Sequence, residues 1–240
     1  MQKSKLTRFI QKYNLGGEVN SVKWSSDGDN LSTSFVTPDK SLLGNVQVKN
    51  LKLESSNIGV YQTDQLVKLL GVLGDDISLD LKKFDEKATS LKVKNGSVSF
   101  DYVLSDLSVI AEPPALKKLP EFDTQIKLDN HFIETFIKGK GALSDVDSFT
   151  ILTNKEGNLE VIIGYSSMNT NRINIPVESV TNNLSESISF NANLFKEVLS
   201  ANRECTSAVL EVSNDGLARV NFKVDDYDTN YYIVAMKEVD

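Results

Sequence analysis

The 240-residue chain contains one cysteine, Cys205, and one histidine, His131. A single cysteine excludes a disulfide within the chain and is typical of a reducing compartment. One histidine and one cysteine leave little scope for nucleophile–base chemistry, and the sequence has no HExxH, GxSxG or CxxC motif. Gly139-Lys140 is followed by Gly141, where a P-loop requires serine or threonine. We therefore expect no catalytic residue, no metal site, no cofactor and no enzyme activity.

Long hydrophobic runs are also missing. No stretch approaches the roughly 18 to 20 apolar residues that span a bilayer. The basic N-terminus is not followed by the apolar segment of a secretory signal. With 40% hydrophobic and 25% charged residues, the composition is that of a globular protein. We expect a cytoplasmic protein that does not contact a membrane.

Proline is scarce, and its distribution marks a connector. Three of the five prolines, Pro113, Pro114 and Pro120, fall within residues 105–121, near the middle of the chain. Proline fixes φ and lacks an N–H donor, so this stretch favours an extended surface segment. The sequence thus predicts a first domain at 1–104, a connector at 105–121 and a second domain at 122–240.

The two predicted domains repeat one order of elements. Each begins with apolar residues at helical spacing, continues with four short alternating strands and a second helix, and ends with three more strands. The apolar stripes of the first helices are Leu6, Phe9, Ile10 and Tyr13, and Phe132, Ile133, Phe136 and Ile137. The second helices are expected at Thr63–Leu73 and Ala192–Glu204, and the final strand at Tyr231–Met236. The pattern predicts a duplicated α+β protein.

Positive charge is concentrated on these helices. The net charge is -7, yet the four helical segments together carry +4, so the rest of the chain carries -11. At 100° per residue, every helix has at least one cation opposite its apolar stripe. These cations are Lys5, Arg8, Lys12, Lys68, Lys138, Lys196 and Arg203. For any one helix, the ordinary explanation is that these cations cover a solvated surface. Four cationic helices in an otherwise acidic protein favour a shared anionic ligand.

Four segments resemble the sliding clamps of T-even-type bacteriophages. The first is Ser4-Lys5-x-Thr7 before a helix that ends near Tyr13. The others, in chain order, are Thr124–Asp129 before a helix, Asn154–Gly164, and Asn230–Ala235 at the last strand. The similarity runs along nearly the whole chain and depends on the order and spacing of these segments.

The resemblance implies a DNA-clamp fold with two duplicated clamp-type domains per chain and three chains per ring. Antiparallel sheets would lie outside, and helices would line the hole. The implied function is a sliding clamp that encircles duplex DNA without reading its sequence and tethers the replicative DNA polymerase as a processivity factor. An ATP-dependent clamp loader is the other implied partner. The clamp would act in the cytoplasm of the infected bacterial host and also support late transcription, with late-transcription factors and RNA polymerase as further partners.

Ring closure requires a head-to-tail interface, for which sheet edges are natural templates. We expect the strand ending the first domain to pair with the strand at 172–177 of the next chain. The interface residues are Val98, Phe100, Tyr102, Leu104, Arg172, Ile173, Ile175 and Val177. An apolar pocket beneath the connector is expected to take partner peptides. Its predicted lining is Leu107, Val109, Ile110, Tyr232, Val234 and Met236.

Three alternatives remain open at this point. One is an enzyme, which a metal-dependent activity in a monomer would support. Another is a structural virion protein built of β-rich repeats, which has no need of cationic helix surfaces. The third is a cellular clamp in place of a viral one.

Overall fold

The computed structural model describes residues 1–116, 118–166 and 170–237. The chain divides into two compact units. The first comprises Met1–Pro114 with Asp225–Thr229, and the second comprises Ala115–Val224 with Asn230–Asp240. Each unit combines α-helices with antiparallel sheets, as the sequence predicts.

The first unit follows the predicted order of helix, four strands, helix and three strands. Its elements are α1 (Lys3–Asn14), β1 (Val22–Ser26), β2 (Leu31–Val36), β3 (Leu42–Val48), β4 (Ser56–Val60), α2 (Thr63–Gly71), β5 (Ser78–Phe84), β6 (Lys87–Asn95) and β7 (Val98–Val103). One antiparallel sheet has the order β3-β2-β1-β4, and the other has the order β5-β6-β7.

The core of the first unit forms around the apolar stripe of α1. Phe9 and Tyr13 are fully buried, and Trp24 of β1 lies 5.6 Å from Phe9 in an edge-on arrangement. Such aromatic pairs add to the free energy gained by burying their area. Gly44 of β3 faces Phe35 of β2, and a Cβ at that position would collide with the Phe35 ring. The core packing thus fixes how α1 lies on its sheet.

The second unit contains the predicted elements and two additional strands. Its elements are β8 (Thr124–Asp129), α3 (Asn130–Ala142), β9 (Ser148–Thr153), β10 (Leu159–Ile163), β11 (Ile173–Pro176), β12 (Ser179–Thr181), β13 (Ile188–Asn191), α4 (Ala192–Ala201), β14 (Ser207–Ser213), β15 (Leu217–Val224) and β16 (Tyr227–Val234). The sheets have the orders β11-β10-β9-β13 and β12-β8-β14-β15-β16. The strands β8 and β12 are the two that the periodicity did not predict.

Phenylalanines form the core of the second unit. Phe149 of β9 stacks on Phe195 of α4 at 4.8 Å, and Phe136 of α3 meets Phe195 edge-on at 5.0 Å. Asp129 caps α3 by accepting a hydrogen bond from the Phe132 N–H at 2.8 Å. Phe132, Ile133 and Phe136 of the predicted apolar stripe are buried, whereas Glu134 and Lys138 on the opposite side of α3 face solvent.

Several element ends differ from the prediction, and α2 ends at Gly71, two residues before the predicted Leu73. Helix α4 ends at Ala201, because the buried Asn202 side chain donates hydrogen bonds to the Val198 carbonyl at 2.9 Å and to the Tyr231 hydroxyl at 3.0 Å. Arg203 therefore lies beyond the helix. Strand β16 begins at Tyr227, four residues earlier than expected.

Candidate functional site

The cations of α1 are engaged by an acidic turn of the same unit. Lys5 forms an ion pair with Asp226, and both Nη atoms of Arg8 lie 3.2 Å from Asp225 Oδ2. The Arg8 guanidinium also stacks over the Tyr227 ring, 4.6 Å from its centroid. Asp225 and Asp226 were not among the residues predicted from the sequence, because nothing near them in the chain indicates a contact with α1.

The acidic turn is held firmly within the first unit. The Tyr227 hydroxyl donates a 2.8 Å hydrogen bond to the Lys5 carbonyl, and Asn50 Nδ2 donates to Asp226 Oδ1 at 3.2 Å. The hydrogen bond from Lys5 lowers the pKa of the Asp226 carboxyl, and the Lys5 charge lowers it further. Lys5 is consequently a partly buried member of an ion pair, with one fifth of its side chain exposed.

The prediction that Lys12 of α1 faces solvent is wrong. The helical wheel puts Lys12 on the solvent side, but the structure leaves it only 1% exposed. Its Nζ atom lies 5.2 Å from the centroid of the Tyr227 ring, so the acidic turn covers this side of the helix. In this chain Lys12 is not available to a phosphate at the surface.

Helix α2 presents its predicted cation to solvent. Lys68 is exposed on the side opposite the buried Leu66 and Leu70. Within the described residues Lys68 has no ion-pair partner. It is therefore the predicted cation of the first unit that is most accessible to a phosphate.

In the second unit, two predicted cations share a groove between α3 and α4. Lys138 and Arg203 line this 300 Å³ groove together with Glu134. Lys138 Nζ lies 3.0 Å from Glu134 Oε2, one helical turn away. The hydrogen bond from Lys138 lowers the pKa of the Glu134 carboxyl, and the charges of Lys138 and Arg203 lower it further. A mixed-charge groove results.

The remaining predicted cation, Lys196, is less accessible. It is half-buried on α4, and its Nζ atom lies 3.2 Å from Glu197 Oε1. His131, in the first turn of α3, is exposed. The predicted cations therefore range from the exposed Lys68 and Lys138 to the buried Lys12.

The two predicted interface strands both lie at sheet edges. Strand β7 ends the order β5-β6-β7, and β11 ends the order β11-β10-β9-β13. The Leu104 N–H donates to the Thr89 carbonyl at 3.0 Å. Because antiparallel strands alternate the direction of their hydrogen bonds, the N–H groups of Val103, Asp101 and Ser99 point to the open edge.

The same alternation explains the proline of β11. The Val177 N–H donates to the Leu159 carbonyl, so the backbone nitrogen of Pro176 points away from β10. A proline costs no hydrogen bond at such a position. Asn174 therefore offers both its N–H and its carbonyl to a partner at this edge.

The side chains of the predicted interface differ in exposure. Val98 and Arg172 are exposed, Phe100, Ile173 and Val177 are half-buried, and Tyr102, Leu104 and Ile175 belong to the cores. A 370 Å³ groove beside β7 is lined by Tyr61, Leu69 and Val103 among others, and Val103 is 76% exposed. Sequence reasoning did not identify Tyr61, Leu69 or Val103, because their exposure depends on how α2 and β7 lie together.

The predicted peptide-pocket residues divide between the two units. In the first unit Leu107 and Val109 form a short 3-10 turn, which Asp106 caps, and Ile110 is buried. Those of the second unit are Tyr232, which is half-buried, and Val234 and Met236, which are exposed. Of these three residues of the second unit, Val234 lines a 750 Å³ pocket. This pocket is lined by Lys118, Leu119, Pro120, Glu121, Asp215, Gly216, Leu217 and Val234.

Across the described ranges, no group of three or more His, Cys, Asp and Glu side chains is arranged to hold a metal ion. None of the helices in the described part of the chain is long and apolar enough to cross a bilayer.

The two α+β units define the fold of a DNA sliding clamp. The proliferating cellular nuclear antigen from Entamoeba histolytica shares this fold at a TM-score of 0.75 and 17% sequence identity, over 98% of this chain and 96% of the other. A. fulgidus PCNA, in a structure with the C-terminal region of FEN-1 bound, matches at a TM-score of 0.74 and 18% identity, over 100% and 98% of the two chains. No protein family and no curated protein matches the sequence.

Proposed function

We propose that this protein is a sliding clamp of the T-even bacteriophage type. It forms a homotrimeric ring around duplex DNA and tethers the replicative DNA polymerase as its processivity factor. The observation that carries the proposal is the clamp fold, which extends over almost the full length of this chain and of the two solved clamps. The phage subtype is supported by the sequence resemblance at Ser4–Thr7, Thr124–Asp129, Asn154–Gly164 and Asn230–Ala235.

DNA contact through the helices is supported by the charges that they expose. Lys68 on α2, together with Lys138 and Arg203 at the α3–α4 groove, provides exposed cations that can contact phosphates. Phosphate contacts of this kind are independent of sequence and exchange readily. A ring remains on DNA by topology, so weak contacts of this type suit sliding.

Trimer formation is supported by the open edges of β7 and β11. The two edges belong to different units and different sheets, so a contact between them is heterologous and closes into a ring only at a particular rotation. The apolar groove beside β7 adds surface that a neighbouring chain would bury. Two units per chain give six units in a ring of three.

The partners follow from the same proposal. The pocket beside Leu119, Leu217 and Val234 takes a short apolar peptide of the polymerase or of the ATP-dependent loader. The A. fulgidus clamp with a bound C-terminal region of FEN-1 is a precedent for peptide binding to this fold. Late-transcription factors and RNA polymerase are further partners, and the site of action is the cytoplasm of the infected bacterium.

Retention on end-blocked DNA tests the ring. The protein is incubated with linear duplex that carries biotin at both ends, streptavidin is added, and the mixture is passed through a gel-filtration column in high salt. We expect the protein to stay on the blocked duplex and to leave once a restriction enzyme cuts it. The molar mass in solution should be that of three chains. Loss from the blocked duplex, or persistence after cutting, contradicts encirclement.

A further inference from the structure

Carboxylates accompany most of the proposed DNA-facing cations. Lys5 and Arg8 pair with Asp226 and Asp225, and Lys138 pairs with Glu134. These pairs lie on three separate elements: α1, α3 and the turn between β15 and β16. Lys68 and Arg203 have no ion-pair partner within the described residues.

The pairs at α3 and at Arg8 are accessible to solvent. The side chains of Lys138 and Glu134 are 78% and 63% exposed, and those of Arg8 and Asp225 are 35% and 68% exposed. Exposed pairs contribute little to folding stability. Their common effect is electrostatic: each carboxylate stands beside a cation and repels an approaching phosphate.

We infer that Glu134 and Asp225 are built-in counterions of the clamp, which weaken its phosphate contacts and so set the friction with which it moves along DNA. The inference rests on the proposed function. A phosphate that reaches Lys138 must displace or tolerate Glu134, and one that reaches Arg8 must compete with Asp225. Arg203 lines the same groove as Glu134, so one carboxylate acts on two cations there.

Glu134→Gln is the sharpest test, because it removes the charge and keeps the size of the side chain. Glu178→Gln is its matched control. Glu178 is 74% exposed and lies 3.1 Å from Lys127 in a pair on the sheet of the second unit. Both variants change the net charge equally, so any difference between them reports the position of the charge. Glu134→Asp, which keeps the charge, separates electrostatics from packing.

The readout is the affinity of each variant for a short blunt duplex, on which topology gives no retention, measured by fluorescence anisotropy at 50 to 200 mM salt. An exposed pair one helical turn apart corresponds to about a twofold change in an equilibrium constant. We therefore expect Glu134→Gln to bind about twofold tighter for each engaged chain, and about eightfold tighter if all three chains engage. Glu178→Gln and Glu134→Asp should stay at the wild-type affinity.

Asp225→Asn gives a second, independent arm. Asp225 has a φ of 51°, a conformation that asparagine tolerates well, so this substitution preserves the turn. It should also tighten binding and slow the diffusion of fluorescently labelled rings along stretched DNA. Circular dichroism melts of all variants check that the fold is unchanged.

The outcomes separate the inference from the proposed function. If Glu134→Gln binds no tighter than Glu178→Gln, or binds more weakly, the counterion role is wrong, even when the wild type is retained on end-blocked duplex. If the wild type is not retained but Glu134→Gln still binds duplex more tightly, the clamp proposal fails and the local role of Glu134 stands.

Discussion

Substitution of Lys68 by alanine is the most direct probe of the proposed DNA-facing helices. Lys68 is exposed on α2 and has no ion-pair partner among the residues that the structure describes, so its removal disturbs little else. Each phosphate contact contributes about -0.9 to the slope of log affinity against log salt. Loss of one contact therefore reduces the fall in affinity between 50 and 200 mM salt by roughly 3.5-fold. If all three chains engage, the slope becomes shallower by about 2.7.

The assay is anisotropy of a labelled 20-base-pair duplex, titrated at several salt concentrations. Lys155→Ala is the control, because Lys155 is an exposed lysine in the β9–β10 hairpin and its loss changes the net charge equally. A phosphate contact at Lys68 predicts a reduced slope for Lys68→Ala and an unchanged slope for Lys155→Ala. Equal slopes for the two variants would refute it, since the effect would then come from overall charge and not from the helices.

Four further outcomes follow from the same contacts. Lys12→Met should leave the salt slope unchanged, because Lys12 is buried against Tyr227; a shallower slope would show that it reaches DNA. Ser99→Pro removes an N–H that points to the open edge of β7, so analytical ultracentrifugation should find folded monomers. Phe100→Pro instead removes a hydrogen bond to β6, so it should also lower the melting temperature. Val234→Asp puts a charge at an apolar pocket position that is 49% exposed. It should weaken binding of a polymerase peptide about tenfold without changing the molar mass of the protein. Unaltered binding would show that the peptide does not bind in this pocket. The hydrogen bond from Lys5 lowers the pKa of the Asp226 carboxyl below 3.8, so this ion pair stabilises the fold above pH 3.8 and is lost as the pH falls through the lowered pKa. Asp226→Asn should therefore reduce the loss of unfolding free energy at acidic pH, measured by urea unfolding at several pH values. An unchanged loss would contradict this.

The helices and the core were predictable because their signals are local. Leu6, Phe9, Ile10 and Tyr13 recur at helical spacing, and all four are fully buried. Burial on one side of a helix leaves a periodic trace in the sequence regardless of which strands cover it. The duplicated order of elements emerged for the same reason.

The two missed strands show where periodicity stops being informative. Strand β8 runs directly into α3, and Asp129 is both its last residue and the N-cap of the helix. No loop separates the two elements, so the alternation of Thr124, Ile126 and Leu128 passes directly into the helix-start signal of Asp129. Strand β12 has only three residues, all of them exposed, and offers no alternation of burial to detect.

The charged sites expose a different limit, which concerns distance along the chain. A helical wheel correctly separates Lys5, Arg8 and Lys12 from the apolar stripe of α1, but it contains no information on what covers them. The covering residues lie more than 210 positions away, at Asp225–Tyr227. Nothing near α1 distinguishes a lysine facing solvent from one under a tyrosine ring. The exposed pair of Glu134 and Lys138, by contrast, is one helical turn apart and was visible in the sequence. Local charge patterns therefore identify candidate phosphate-binding cations. Long-range packing decides whether each cation stays exposed or is paired with a carboxylate.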